Sequence, residues 1–224
     1  MRSRLLATRL AGGRATPRLV GALALLLFAP AGAATAQSSS SGTAGPWQAG
    51  VFGGWYSGSH PYVFRGDFSS DVNLEPSGFF GLRLGYDLGP VWRLEWSWWQ
   101  ARSEETLTNA TPAKIRDIRL DTYLFNALAR FGRGPVRGFV TFGLGGASTG
   151  SSFGGVNLTA NLGLGAELSL DRHLAIRLEG DFYDTYGNIG KAGEAAFCDA
   201  AGCYYYKHAW YPSGGVSAGV SYAF

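Results

Sequence analysis

The sequence predicts an all-β fold, an eight-stranded antiparallel up-and-down barrel that crosses a membrane. Three observations lead to this prediction. Apolar and polar side chains alternate with a period of two in eight segments, as they do in strands with one apolar face. Short and long connections between the segments follow each other in strict alternation. An export signal precedes the first segment.

Residues 1–36 have the order of a secretory signal peptide. Several arginines precede the apolar run 19–29, and the small-residue sequence Ala34-Thr35-Ala36 follows it. A positive start, a short apolar stretch and an A-x-A site are the three parts of such a signal, so we place cleavage before Gln37. The apolar run is shorter than the roughly 20 residues of a transmembrane helix, which disfavours the alternative of a retained anchor.

The composition favours one membrane-embedded domain. The chain has 34 glycines, 14% aromatic residues and only 16% charged residues, whereas a water-exposed surface normally needs more charge. The signal peptide holds five arginines and no acid, so its removal changes the formal charge from +3 to −2 and leaves no electrostatic basis for nucleic-acid binding. We expect residues 37–46 to form a flexible leader and residues 47–224 to form the barrel domain.

The predicted strands have the length that crosses a bilayer when tilted, about 9 to 11 residues, with additional residues at one end. They cover residues 47–56, 78–88, 91–103, 118–131, 136–146, 156–170, 174–184 and 210–224. Eight is an even number, as single-chain bacterial membrane barrels require.

Among the first four strands, the third alternates most clearly. Its apolar face carries Trp92, Leu94, Trp96 and Trp98, and its other face carries Arg93, Glu95 and Ser97. The first and second strands place Trp47, Trp55 and Tyr86 on their apolar faces. The fourth is less regular, because leucines at 120, 124 and 128 alternate with aromatic residues at 123, 125 and 131. We assign Asn126 and Arg130 to the inner face of that strand.

The last four strands follow the same rule. In the sixth, leucines and alanines from 158 to 170 alternate with Asn, Thr, Gly, Glu and Ser. The seventh sets Leu174, Ile176, Leu178 and Phe182 against Arg177, Glu179 and Asp181. The eighth places Val216, Ala218, Val220, Tyr222 and Phe224 on one side. One face of each strand is therefore apolar, and the other mixes charge with glycine.

The connections between the strands are of two kinds. Short turns at 89–90, 132–135 and 171–173 follow strands two, four and six, whereas longer segments at 57–77, 104–117, 147–155 and 185–209 follow strands one, three, five and seven. Outer-membrane barrels have short periplasmic turns at one rim and long extracellular loops at the other. A soluble sandwich has no reason to sort its connections in this way.

A soluble lipocalin-like barrel is the main alternative, because it would also alternate, with its apolar face inward. The positions of the large rings argue against it. They lie on apolar faces near strand ends, where lipid headgroups favour them, and so many rings would overfill a narrow lumen. These residues are Trp47, Trp55, Tyr86, Trp92, Trp98, Phe131, Trp210, Tyr222 and Phe224.

Two Gly-x-Gly patterns, Gly143-Leu144-Gly145 and Gly163-Leu164-Gly165, lie in predicted strands, and the sequence closes with Tyr222-Ala223-Phe224. With the signal peptide and the eight alternating strands, the chain resembles the small outer-membrane β-barrel proteins of Gram-negative bacteria, the OmpA-like and OmpX-like barrel group. These motifs are architectural and identify no single member. The resemblance covers essentially the whole mature chain.

The resemblance implies export through the periplasm to the outer membrane, contact with outer-membrane lipid and no cofactor. It also implies that the barrel-assembly machinery recognises the terminal strand through Val220, Tyr222 and Phe224. Full-length OmpA-type proteins carry a periplasmic peptidoglycan-binding domain, which we do not expect here because the sequence ends at its barrel.

The inner-face charges form the richest constellation in the chain. They are Arg83, Asp87, Arg93, Glu95, Arg130, Arg137, Glu167, Arg177, Glu179 and Asp181. Each charge would be unfavourable alone in a lumen sealed from water, so we expect cross-strand pairs that plug the barrel. A narrow gated pore, in which the pairs exchange partners, is the alternative. An eight-stranded barrel is only wide enough for its own side chains, which disfavours a constitutive channel.

The last long connection carries the two cysteines and a run of rings. Cys198 and Cys203 lie on an oxidising export route, so we expect a disulfide that stiffens the loop tip. A metal site formed with His208 lacks a complete ligand set, and we expect no metal. The rings form either a recognition patch or, as we prefer, an aromatic girdle at the outer rim. They belong to Tyr204, Tyr205, Tyr206, His208 and Trp210.

Enzymatic readings have weaker support. His208, Ser213 and Asp184 could be combined as a lipid-modifying triad, but the sequence contains no H-x-S element like that of the lipid A deacylases, and triads are defined by geometry. We therefore expect a non-enzymatic protein with a structural or surface-interaction role through its long extracellular loops. A gated porin and a lipid-modifying enzyme are the two alternatives. The ligand of the loops and the oligomeric state have no signal in the sequence.

Overall fold

The computed structural model describes residues 45–59, 62–65, 68–107, 113–149, 155–187, 195–199, 202–206 and 209–224. The predicted signal peptide and most of the predicted leader lie outside these residues, as does His208.

Eight antiparallel strands form a closed barrel, which confirms the predicted fold class. They are β1 (Trp47–Ser59), β4 (Ser77–Asp87), β5 (Trp92–Leu107), β6 (Ala113–Phe131), β7 (Val136–Thr149), β8 (Val156–Ser169), β9 (Leu174–Gly187) and β12 (Ala209–Ala223). Strand β1 pairs with β4 on one side and with β12 on the other, where Val51 lies opposite Val220. Closure gives every barrel strand two neighbours, which satisfies the backbone hydrogen bonds without an open edge.

Four shorter strands lie within the first and last long connections, where the sequence analysis assigned no strand. They are β2 (Tyr62–Arg65), β3 (Phe68–Leu74), β10 (Ala195–Asp199) and β11 (Gly202–Tyr206). Strands β2 and β3 form one hairpin, and β10 and β11 form another. The hairpins pair with each other through β11 and β2, with Tyr205 opposite Phe64. These four strands are short, and their residues do not alternate clearly between apolar and polar, so they leave no period-two signal.

The apolar face of the barrel points outward. Leu164 and Phe125 expose 71% and 72% of their surface, whereas Arg177 exposes 3%. This is the reverse of a lipocalin-like barrel, so the soluble alternative is wrong. The irregular strand β6 obeys the rule once its packing is known, because Leu124 and Leu128 are buried in the lumen beside the inner-facing Asn126. Among the described residues, no helix is long and apolar enough to cross a membrane.

The short turns lie together at the rim opposite the hairpins. Gly132 and Gly134 both adopt a φ of 94°, a left-handed conformation that glycine adopts without a Cβ penalty. In the turn between β8 and β9, the Asp171 carboxylate accepts hydrogen bonds from the backbone N–H groups of His173 and Leu174, at 2.6 and 2.8 Å. These two donors hold the pKa of the Asp171 carboxyl below its usual range.

Candidate functional site

Arg177 forms the centre of a buried ion-pair network inside the barrel. Its guanidinium lies 2.8 Å from the Glu95 carboxylate and 2.6 Å from that of Glu179. Arg83 also pairs with Glu179, at 3.3 Å, and Thr141 donates to the same carboxylate at 3.2 Å. These residues come from four strands, so the network links opposite walls of the lumen.

A second group of charges lies nearer the short turns. Arg93 pairs with Asp87 at 2.6 Å and with Glu167 at 2.8 Å. Arg130 pairs with Asp87 at 3.0 Å and donates a further hydrogen bond to the Gly89 carbonyl at 2.7 Å. The side chain of Arg130 thereby fastens the turn between β4 and β5 to the inner wall.

Two of the ten predicted lumen charges are arranged differently. Arg137 lies opposite Glu167 in the β7–β8 register, and Asp181 accepts a hydrogen bond from the Asn161 amide at 3.3 Å. The ion pairs within the described residues include neither Arg137 nor Asp181. The structure therefore brings eight of the predicted charges into direct pairs and leaves these two beside them.

A layer of buried aromatic side chains fills the lumen next to the network, and the sequence analysis did not identify it. The layer consists of Phe52, Tyr56, Phe79, Trp99 and Tyr183, packed with Leu124. The ring centroid of Trp99 lies 5.2 Å from that of Phe79 and 5.4 Å from that of Tyr183. The alternation within each strand could have identified these rings. Trp99 is an even number of residues from Glu95, and Tyr183 from Glu179, so each ring lies on the same inner face as a predicted lumen charge.

Arginines of the network stack on rings of the lumen. The guanidinium carbon of Arg83 lies 4.1 Å from the ring centroid of Phe52, and that of Arg177 lies 4.2 Å from that of Phe139. Such cation–π contacts strengthen when they are removed from water. The network and the aromatic layer are thus parts of one packed interior.

Inward glycines make room for these rings. A Cβ built on Gly81 would lie 2.6 Å from a ring carbon of Phe52, and one built on Gly165 would collide with Phe139. Two cavities within the lumen have volumes of about 30 Å³ and about 20 Å³. A single water needs about 10 to 15 Å³, so the smaller cavity has room for one or two waters and the larger for about two or three. The larger lies toward the hairpins and the smaller beside the network.

The residues considered for a lipid-modifying triad do not come together in the described part of the chain. Ser213 is buried in the lumen, where it lines the larger cavity. Asp184 pairs with Pro212, the residue before Ser213, in the β9–β12 register. Because successive side chains of a strand point to opposite faces, Asp184 projects to the outer face and Ser213 to the lumen. His208 is outside the described residues.

Cys198 and Cys203 form the predicted disulfide, directly across the β10–β11 hairpin with their Cα atoms 4.0 Å apart. The backbones of Tyr204, Tyr205 and Tyr206 belong to β11, but their side chains lie outside what the structure describes. Trp210 projects outward with 52% of its surface exposed, and its ring centroid is 5.0 Å from that of Tyr186. This position agrees with a ring at the rim of the apolar belt.

The three residues predicted as an assembly signal all lie on the outer face of the closing strand. Val220, Tyr222 and Phe224 expose 44%, 52% and 57% of their surface. The Phe224 backbone N–H donates to the Trp47 carbonyl at 3.0 Å, and the Tyr222 ring stacks on His173 at a centroid distance of 5.4 Å. Among the described residues, no group of three or more His, Cys, Asp or Glu side chains is arranged to hold a metal ion.

Comparison with known proteins gives a match to one family model. The family is described as an outer membrane protein beta-barrel domain, and its model matches residues 21–224. A comparison with curated protein sequences gave no match.

Solved outer-membrane proteins have a similar fold. OprG from Pseudomonas aeruginosa is 12% identical with a TM-score of 0.56, over 81% of this chain and 98% of that one. AlkL, solved in DMPC lipid bilayers, is 11% identical with a TM-score of 0.56, over 84% and 94%. Neisserial surface protein A is 15% identical with a TM-score of 0.49, over 80% and 97%. At these identities the likeness concerns the fold alone.

Proposed function

Because the chain belongs to the outer membrane protein β-barrel domain family, we propose that it is a non-conducting barrel that presents its paired hairpins at the cell surface for structural or binding interactions. Family membership implies the outer membrane of a Gram-negative bacterium. In this arrangement the short turns face the periplasm and the hairpins face outward.

The observation that carries this proposal is that side chains fill the interior of the barrel, while the two paired hairpins extend beyond its rim. Eight charges in direct ion pairs and a layer of rings occupy the lumen, and the two cavities described between them have room for only a few waters. An ion crossing the barrel would have to separate several buried pairs, and each separation would leave uncompensated charges in the interior. The hairpins beyond the rim, by contrast, leave backbone and loop surface available for contact.

Accessibility on intact cells tests the orientation. The Cys198–Cys203 disulfide is reduced with a membrane-impermeant phosphine and then labelled with an impermeant maleimide. We expect labelling of intact cells and none in the variant with both cysteines replaced by serine. Labelling that requires permeabilisation of the outer membrane would contradict surface presentation of this hairpin.

Conductance in planar bilayers tests the closed lumen and separates the proposal from the gated-porin alternative. Arg177 pairs with two carboxylates, and Asp87 pairs with two arginines. A gated pore would therefore require these described pairs to exchange partners. We expect refolded protein to give no steady openings. Steady ion-selective openings that disappear on charge reversal at Glu95 or Glu179 would establish the porin instead.

A further inference from the structure

The smaller lumen cavity is lined by polar side chains on one side and by aromatic and leucine side chains on the other. It has a volume of about 20 Å³ and lies between the ion-pair network and the aromatic layer. Its polar lining includes Ser97, Asn126, Thr141, Asn161, Glu179 and Asp181. Such a cavity is large enough for a water molecule or a small ion and has the oxygen ligands to hold either.

Two amide oxygens in this lining have no hydrogen-bond partner. They are Oδ1 of Asn126 and Oδ1 of Asn161, in residues that expose only 6% and 5% of their surface. The amide nitrogens are already engaged, since Asn126 donates to Ser97 at 3.0 Å and Asn161 donates to Asp181 at 3.3 Å. Burial of an unpaired amide oxygen is unfavourable by about 1 to 3 kcal/mol, so two in one place call for a ligand.

Gly143 shows that these two oxygens converge. A Cβ built on Gly143 would collide with Oδ1 of Asn126 from β6 and with Oδ1 of Asn161 from β8. The two oxygens therefore approach each other above the central strand β7, across a gap that only glycine leaves open. Both oxygens carry a partial negative charge, and neither accepts a hydrogen bond.

The charges around the cavity are unequal in number. Glu95, Glu179 and Asp181 contribute three negative charges, whereas Arg83 and Arg177, which pair with the two glutamates, contribute two positive ones. Asp181 is the carboxylate that no arginine pairs with directly, and its described hydrogen-bond partners are two neutral groups, the Asn161 amide and the Tyr183 hydroxyl. In a region of low dielectric, one uncompensated negative charge attracts one positive charge.

We propose that this cavity binds a small monovalent cation, with Na⁺ as the ion of fitting size, held by the amide oxygens of Asn126 and Asn161 and the carboxylate of Asp181. Carboxylate and carbonyl oxygens suit hard cations. A single missing positive charge selects a monovalent ion over a divalent one. The site is independent of what the hairpins contact, and it would stabilise a closed lumen without conducting.

Thermal unfolding of the refolded barrel in detergent micelles tests the site. The melting temperature is followed by circular dichroism while Na⁺ replaces N-methyl-D-glucamine at constant ionic strength and pH. Since a ligand of the folded state stabilises it in proportion to the logarithm of its concentration, we expect a rise of about 3 °C for each tenfold increase in Na⁺ above the dissociation constant. Line broadening in ²³Na NMR provides a direct measure of binding.

Two acid-to-amide variants provide the matched comparison. Asp181→Asn removes the uncompensated charge, so its melting temperature should no longer depend on Na⁺. Glu167→Gln removes a lumen carboxylate that does not line the cavity, so the Na⁺ dependence should persist even if the barrel is less stable.

Several outcomes would overturn the proposal. Equal melting temperatures of the wild-type barrel in Na⁺ and N-methyl-D-glucamine would mean that no cation binds, and that a water molecule or a turned Asn126 amide donates to these oxygens instead. A melting temperature that depends on pH through Asp181 but not on Na⁺ would mean that a proton neutralises the cavity. An unchanged Na⁺ dependence in Asp181→Asn would place the ion elsewhere.

Discussion

At the scale of single residues, Arg177 shows how a buried charge is held inside the barrel. It is buried, it pairs with Glu95 and Glu179, and it stacks on Phe139. A buried ion pair gains little over an apolar pair of the same shape, but the removal of one partner leaves an uncompensated charge. The two glutamates therefore depend on this arginine far more than a surface carboxylate would.

We expect Arg177→Met to lower the free energy of unfolding by about 3 to 5 kcal/mol, because both carboxylates lose their closest cation. Urea unfolding of the refolded protein, followed by tryptophan fluorescence, provides the measurement. Arg119→Met is the matched control, since Arg119 also pairs with a carboxylate, Asp121 at 2.8 Å, but exposes 54% of its side chain. The control should change stability by less than about 1 kcal/mol. Equal losses in the two variants would argue against a decisive role of burial.

Two glycines of β4, one on the inner face and one on the outer face, allow a second comparison of stabilities at this scale. Gly81→Ala places a methyl group against the Phe52 ring and the Trp98 carbonyl, so we expect a loss of about 1 to 3 kcal/mol from overpacking. Gly78→Ala lies on the outer face of β4, where the nearest atom is 3.9 Å from the new Cβ, and should stay within about 0.5 kcal/mol of wild type. The same unfolding assay ranks them, and a more destabilising Gly78→Ala would contradict the packing described for Phe52.

At the scale of elements, the β10–β11 hairpin is separable from the barrel. Its disulfide joins residues five apart in sequence, and its described pairing outside the hairpin is with β2. When Cys198 and Cys203 are both replaced by serine, we expect the melting temperature of the barrel to change by less than about 2 °C. Amide exchange in β10 and β11 should become at least about tenfold faster, because that segment opens locally.

Reduction of the wild-type disulfide should reproduce the faster exchange, and the same reductant should leave the double serine variant unchanged. A large fall in the melting temperature of either sample would mean that the hairpin and the barrel unfold as one unit.

The barrel strands were predictable from the sequence because their outer and inner faces differ in polarity. All eight appear in the structure, but those that lead into long connections extend further than predicted. Strand β9 reaches Gly187 rather than Asp184, and β7 reaches Thr149 rather than Gly146. Strand ends beyond the apolar belt no longer alternate strictly, so periodicity underestimates them. Strands β2, β3, β10 and β11 are short and do not alternate clearly between apolar and polar residues, so periodicity did not identify them.

The interior was predictable only in part. Charges at inner positions such as Glu95 and Arg177 were assigned to the lumen from their phase, and the structure places them there. The choice of partners, such as Arg93 with Glu167 rather than Arg137 with Glu167, depends on the tilt and stagger of the strands. The aromatic layer was not predicted because large rings occur on both faces of the strands, for example the buried Trp99 and the exposed Trp92, so residue type alone does not separate them.

At the scale of the whole molecule, Phe224 has a predicted role in assembly of the barrel that is distinct from its contribution to the stability of the folded barrel. Its ring is 57% exposed on the outer face, so it contributes little packing. We expect Phe224→Ala to reduce the heat-shifted, folded band in outer-membrane fractions several-fold, while the purified variant refolds with nearly normal stability. Phe131→Ala is the matched control, since Phe131 is 58% exposed and lies at the same rim. Equal losses in the two variants would reduce the role of Phe224 to that of an ordinary lipid-facing ring.

The pairing of β11 with β2 has a mechanical consequence. The connection from β1 to β4 carries β2, and the connection from β9 to β12 carries β11, so this pair crosses above the line where the first and last barrel strands meet. Parting of β1 from β12 sideways into the bilayer would also have to separate Tyr205 from Phe64 and Tyr206 from Val63. The two hairpins therefore fasten the first strand of the closed sheet to the last beyond the barrel rim, and the β1–β12 seam can open at that end only after the β11–β2 pairing has broken.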